Sequence, residues 1–511
     1  MRAQHIGLAM TLAVALYACS DPKISPQDTT VEDTASPDAD VEMDADIEMD
    51  ADVALDADTE PDTETDTTEP LAITGLRATQ SAASVLAYTV KWSTSVASST
   101  RLDVACEGLE PWTIADDEAA STSHEVVVLG LAAETSCTLT AMGTATDAPH
   151  PSGSDELAIT VGALPDTFPE ITLTPAEDES ALAPGWTLIN LSNRDIPVPY
   201  SVALIDAAGR YRWYYRYPTT DAGSDTPVIP WEDGVVIGGR GVPMTYVTWQ
   251  GDIVWQGIWG HHEVRPSDTE GAFYTMQGFK CEGDDHDAGL IVEYDPIADE
   301  NLWEWPLCEH YTPPDDVADW SHTNTVSLFP DENALIMSSR NQNAFFKINR
   351  DNGELEWVMG HAGWAERDDP FAGDFEMDEA DRFYHQHDVQ VLPNGHILLF
   401  DNGVSPIRPY SRALELAYTW NPDGTSEAHM VWEYRHDPDI LANIWGGVQR
   451  LDNGNTLVCF GQRTTGDRTT IVEVSADAEL LWQIQLPEHW GSYRAQKVAE
   501  PPRGLVIPST D

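Results

Sequence analysis

The 511-residue chain carries 87 acidic against 26 basic side chains, a formal charge of −61 at pH 7. An acidic excess of that size repels phosphate backbones, so nucleic-acid binding is excluded as a function class. The same composition suits a saline environment.

Arg2 precedes an apolar stretch from Ile6 to Tyr17, and Ala18 stands directly before Cys19. That order is a cleavable export signal, and the run is too short to span a bilayer as a permanent helix. Leu16-Tyr17-Ala18-Cys19 resembles a bacterial lipoprotein signal, which implies that residues 1–18 are removed and that Cys19 is lipidated. An ordinary secretory signal followed by cysteine is the plainer alternative. The expected location is the bacterial cell envelope at the outer membrane, facing periplasm or cell surface, with membrane contact only through the lipid.

Residues 19–70 are dominated by Asp, Glu, Thr, Ala and Pro, with Lys23 the only basic residue from Ser20 to Pro70. Such a segment cannot bury a core and reads as a disordered acidic tether. It lacks the glycines of a calcium-coordinating loop. The remaining cysteines fit an oxidising compartment: Cys106 with Cys137, and Cys281 with Cys308, are the expected disulfides. Cys459, in the apolar run Leu457-Val458-Cys459-Phe460, reads as a buried small hydrophobe.

Over residues 71–165, short alternating runs such as Ala87-Tyr88-Thr89-Val90-Lys91-Trp92 and Glu125-Val126-Val127-Val128-Leu129 predict a small β-sandwich. The stretch resembles a fibronectin type III module, with Trp92 in the place of the core tryptophan. Its expected role is spacing or adhesion.

From about residue 180 to 511 a pattern recurs in which an apolar strand, a polar turn and a second strand close on tryptophan. The copies end at Trp213, Trp255, Trp303, Trp357, Trp432 and Trp482. Repetition at this length, built from strands alone, predicts an all-β, six-bladed propeller. The first blade lacks its innermost strand, which Tyr493-Arg494-Ala495-Gln496-Lys497-Val498 can supply, closing the ring.

Innermost strands line the central channel, and those of three consecutive blades open on histidine. The words are His261-His262-Glu263-Val264, His322-Thr323-Asn324-Thr325 and His385-Gln386-His387-Asp388. A second strand of similar length returns Arg340 beside His322. Clustered imidazoles with a guanidinium fork suit a tetrahedral oxyanion such as sulfate or phosphate. The plain reading of each histidine is a hydrogen bond to a neighbouring blade. Arg240, Arg408 and Arg463 lie near comparable strand ends, Arg408 being the favoured extra anion ligand.

Asp319-Trp320-Ser321-His322-Thr323-Asn324-Thr325-Val326-Ser327, Ser338-Ser339-Arg340-Asn341-Gln342, and His387-Asp388-Val389 running on to Phe400-Asp401-Asn402-Gly403 resemble the bacterial arylsulfotransferase family. The resemblance spans roughly residues 180–500. It implies sulfuryl transfer from an aryl sulfate to a phenol through a sulfohistidine, without nucleotide donor, cofactor or metal. By position, His387 would be the nucleophile, with His385 the alternative one register away. His322, Asn324 and Arg340 would bind the sulfuryl oxygens, and His262 would assist proton transfer. Trp320, Tyr384 and Trp445 are candidates for stacking on a phenolic ring. The sixth blade, opening at Asn443-Ile444-Trp445-Gly446-Gly447, offers no polar side chain that can be placed in the site. A non-enzymatic propeller binding a sulfated or phenolic ligand, or a protein, is the alternative function, and a three-histidine metal site is a weaker one.

Overall fold

The computed structural model describes residues 71–145, 152–193, 196–218, 225–280, 287–310, 319–360, 373–461 and 468–507. The expected signal, lipidation site and tether, including Cys19, lie outside them. Among the described residues the secondary structure is β throughout, apart from two short 3-10 turns at Glu179–Ala181 and Leu307–Glu309.

Six sheets, four of four strands and two extended to five, form the propeller. Blade two runs from Val228–Trp231 to Ile253–Trp259, blade three from His261–Pro266 to Glu300–Pro306, and blade four from Thr323–Leu328 to Leu355–Gly360. Blade five runs from His387–Val391 to Ser426–Arg435, and blade six from Gly447–Arg450 to Leu480–Gln485. Blade one is closed as the sequence predicts, because Ala495–Val498 pairs antiparallel with Trp186–Asn193. In each sheet the two middle strands are almost wholly buried, as in Ala334–Ser339 and Ala344–Asn349 of blade four. That accounts for their continuous apolar reading rather than simple alternation.

The recurring tryptophan has a physical task. The indole N–H of Trp213 donates to the Trp249 carbonyl, that of Trp432 to Ala476 and that of Trp482 to Ala207, each in the turn of the following blade. In blade three the same bond, to Gly353, is made by Trp305 and not by Trp303. Trp303, two residues earlier and partly exposed, keeps the register of the other repeat tryptophans, opposite Glu293 just before the bulge.

Strands Ile73–Gln80, Tyr88–Cys106, Trp112–Val128, Ser136–Ala145 and Gly153–Thr160 form a separate sheet whose core includes Trp92, 1% exposed. The Cys106–Cys137 disulfide joins two neighbouring strands of it. Cys308 is also disulfide-bonded, while its expected partner Cys281 lies outside the described residues. Cys459 is buried, and burial pushes its thiol pKa up. Two segments cross the expected boundaries. Gly504–Val506 leaves the propeller to pair with Val126–Val128 of the N-terminal sheet, and Thr172–Thr174 adds a fifth strand to blade six. Arg212 fastens the two parts further by donating to the Gly130 carbonyl at 2.6 and 2.9 Å.

Candidate active site

The inner strands of blades three to six begin with residues in left-handed backbone: His262 (φ 61°), His322 (φ 45°), His385 (φ 55°) and Trp445 (φ 60°), with Asp388 (φ 51°) close behind. Such conformations cost about 1–3 kcal/mol each and persist where surrounding structure enforces them. The strand register also slips between His261 and Val264, Thr323 and Thr325, and His387 and Gln390. Bulges re-aim side chains. Simple alternation therefore does not decide between His385 and His387.

His387 is 1% exposed. Its Nδ1 lies 2.7 Å from Asn402 Oδ1 and 3.1 Å from the His385 carbonyl. Burial first, then the charge of Arg340, holds its pKa well below the ordinary 6.5, so the ring is neutral near neutral pH. His262 is equally enclosed, with its Nδ1 2.8 Å from His261 Nδ1 and its Nε2 3.7 Å from Asp225 Oδ2. Burial again drives its pKa far down, helped by the neighbouring histidines. The His262 and His322 rings are 5.0 Å apart, edge to face. His322 is partly open and sits with Nδ1 2.5 Å from Asp319 Oδ2.

The backbone N–H of Arg340 donates to the His322 carbonyl at 3.2 Å, which is the return of the second strand expected from its length. Its Nη1 donates to Asn341 Oδ1 and its Nη2 to the Asn443 carbonyl of blade six, at 2.8 and 3.0 Å. Its Nε is buried without a hydrogen-bond partner. The hydroxyl of Tyr493 is in the same condition. The Tyr493 ring stands 6.1 Å from that of His262 and 6.3 Å from that of His387. An unsatisfied buried donor costs about 1–3 kcal/mol, so two of them around paired imidazoles mark a place suited to an acceptor-rich anion.

Beneath the histidines the channel is plugged by charge. Arg494 Nη1 lies 2.7 Å from Glu263 Oε1 and 3.6 Å from Asp388 Oδ1, and Arg265 Nη2 is 3.4 Å from the same Asp388 oxygen. Burial works against the Arg494 charge, but Asp388 and Glu263 raise its pKa overall. These residues directly follow Tyr493, His262 and His387 in the chain, so one buried network holds the strands that carry the site.

Blade six contributes mainly through its main chain, which no side-chain pattern in the sequence reveals. Besides the Asn443 carbonyl on Arg340, the Ala442 and Trp445 carbonyls accept from Asn402 Nδ2 at 2.6 and 2.7 Å. The N–H of Val448 donates to Asp388 Oδ2 at 3.0 Å. Gly447 is needed here, since a Cβ would stand 2.6 Å from that oxygen.

The other expected residues divide. His385 is partly buried at the rim, its N–H held by Asn343 Oδ1. Its pKa falls to about 3, through burial first and then the Arg340 and His322 charges. Asn324 is fully buried and directs its amide to the carbonyl of Gln386, the residue before His387. Arg408 departs from expectation: its guanidinium meets buried Asp401 at 3.3 Å and the Glu379 carbonyl at 3.1 Å, a bond set internal to blade five. Arg240 is an exposed rim cation, 4.0 Å from Asp225 and with its charge felt by His261 and His262, while Arg463 lies outside the described residues. Trp320, Tyr384 and Trp445 are all buried, and the Trp445 indole donates to Asp225. Among the described residues no group of three or more His, Cys, Asp or Glu is arranged to hold a metal ion.

Residues 175–494 match the family model described as Arylsulfotransferase (ASST). No curated protein matches the chain. Solved structures with partial likeness include TolB from Acinetobacter baumannii, at 10% identity over 72% of this chain and 81% of that one, TM-score 0.37. Another is a hydrazine synthase from Kuenenia stuttgartiensis, at 12% identity over 58% and 88%, TM-score 0.33. Likenesses of that degree carry no argument about function.

Proposed function

Because the chain belongs to the arylsulfotransferase family, we propose that it moves a sulfuryl group from an aryl sulfate to a phenolic acceptor, with His387 carrying the group between the two half-reactions. The observation that supports this reading most is a buried, neutral imidazole at His387 beside Arg340, with unsatisfied donors at Arg340 Nε and Tyr493 Oη.

In the first half-reaction a lone pair of His387 attacks sulfur, the sulfur–oxygen bond to the aryl group breaks, and the phenolate departs. The ring becomes a sulfo-imidazolium, whose positive charge labilises the new nitrogen–sulfur bond. Arg340 and the Tyr493 hydroxyl would bind the sulfuryl oxygens as charge redistributes. His322 is suited to give the leaving phenolate a proton and to take one from the acceptor, with Asp319 balancing its positive charge. The acceptor phenolate then attacks sulfur, the nitrogen–sulfur bond breaks, and His387 returns to its neutral form. Asn324 supports the scheme by bracing the strand of His387 rather than through an exposed amide. Lipid anchoring at Cys19, with the N-terminal sheet as a spacer, completes the proposal.

The test is incubation with a chromogenic aryl sulfate, with and without a phenol, followed by peptide mass spectrometry. A sulfuryl group on the His387 peptide, absent in His387→Ala, together with acceptor-dependent phenol release, is the expected result. Tight ligand binding with no phenol release across several donors and salt concentrations would favour a binding propeller.

A further inference from the structure

We infer that Asn402 is a positioning residue that holds the proton of His387 on Nδ1 and presents Nε2 to the reaction, and that blade six sets the orientation of Asn402. The inference rests on the proposed role of His387. Asn402 matters because an asparagine amide can be turned either way, accepting through Oδ1 or donating through Nδ2. Here the choice is forced. Nδ2 has two carbonyl neighbours, Ala442 at 2.6 Å and Trp445 at 2.7 Å, and a carbonyl can only accept. The amide nitrogen must face them, which leaves Oδ1 toward His387 Nδ1 at 2.7 Å. The second neighbour of Nδ1 is the His385 carbonyl at 3.1 Å, again an acceptor. Both partners demand a hydrogen on Nδ1, and the neutral ring has only one to give.

Asn402 is 0% exposed and Ser411 Oγ donates to its carbonyl at 2.6 Å, so both its main chain and its side chain are fixed. The same Ser411 Oγ accepts from the N–H of Ala442 at 2.8 Å, binding the segment that orients the amide back to blade five. The groups facing His387 are thus Asn402 and the His385 carbonyl on its Nδ1 side, with Arg340, His322, Arg494, Tyr493 and His262 as the neighbouring charges or titratable groups. The chain from Ala442 and Trp445 through Asn402 to His387 makes the main chain of the sixth blade part of the nucleophile's support.

Nitrogen NMR of histidine-labelled full-length protein, with His387 assigned by His387→Gln, reads the tautomer without turnover. A proton on Nδ1 is expected; a proton on Nε2 would overturn the inference. In Asn402→Leu the Nδ1 signal should broaden or mix with the Nε2 form, and formation of the sulfo-His387 peptide should slow about tenfold or more. Asn402→Asp keeps an acceptor but places a carboxylate against the ring. It should move the acid limb of the rate profile to higher pH, because a neighbouring negative charge favours the imidazolium. An unmoved profile in Asn402→Asp, with sulfo-peptide formation in Asn402→Leu at the wild-type rate, would remove Asn402 from this role. If wild-type protein shows the Nδ1 proton yet takes no sulfuryl group from any donor, the sulfotransferase reading fails while the positioning stands.

Discussion

Arg340 and Asn443 meet across the channel, the guanidinium Nη2 of blade four donating to the backbone carbonyl of blade six at 3.0 Å. A side chain of one blade is thereby locked by the main chain of another two blades on, with Nε left directed to neither.

Replacing Arg340 tests that arrangement. Arg340→Lys keeps a cation but loses the planar fork that reaches Asn341 and Asn443 together. Transfer should fall by about 10²–10³ in both Arg340→Lys and Arg340→Ala. Phenol release rates, with thermal unfolding as the control for folding, give the answer. A lysine variant of near wild-type rate would count against oxyanion binding by the guanidinium Nε.

Tyr493→Phe should separate activity from stability. Removing a buried hydroxyl without a partner relieves a desolvation cost, so the variant should unfold at the same denaturant concentration as wild type or a higher one. Sulfo-peptide formation should nevertheless slow by about tenfold, the loss of one donor to the transferring group. Equal transfer rates would mean that the hydroxyl does not meet substrate.

Arg494→Met should be costly in a different way. It strands Glu263 and Asp388 in a buried layer, and breaking a buried ion pair from one side costs about 3–5 kcal/mol. Urea denaturation would register the loss directly. Because Arg265 remains near both carboxylates and can pair with Asp388, a double variant that also neutralises Glu263 should recover much of it.

Stability should depend on pH through the histidines. His261 is held down to about 4 and His385 to about 3 from an ordinary 6.5, with burial the main cause in both. Both therefore stay neutral in the fold where the unfolded chain would take up protons. Their contribution is undiminished above pH 6.5 and is lost progressively as the pH falls toward the folded values, ending near 3–4. Denaturation midpoints should drop between about pH 7 and pH 5, and His385→Gln should flatten the drop. A slope unchanged by that substitution would mean that other groups dominate.

The ring and its closing strand were legible because apolar strand pairs closing on tryptophan recur at each blade, and the histidines because three successive strands open on them. What escaped was whatever the main chain does. The tie from Asn443 to Arg340 and the carbonyls around Asn402 leave no mark in side-chain identity, so blade six read as empty. Arg408 escaped for the opposite reason: its strand-end position was right for the rim, but Asp401, an ordinary acidic residue in sequence, draws it inside. The bulge at His387 is likewise invisible to alternation, since it depends on how Asp388 is gripped from three other blades.

Tyr493 and Arg494 lie directly before the strand that closes the ring, yet they form the floor on which histidines made far earlier rest. A chain that stops short of them has an open ring and a less firmly gripped Asp388, whatever the state of blades two to six. Competence for chemistry thus arrives in a single step, when the ring closes. A truncated or unclosed copy would be silent rather than partly active.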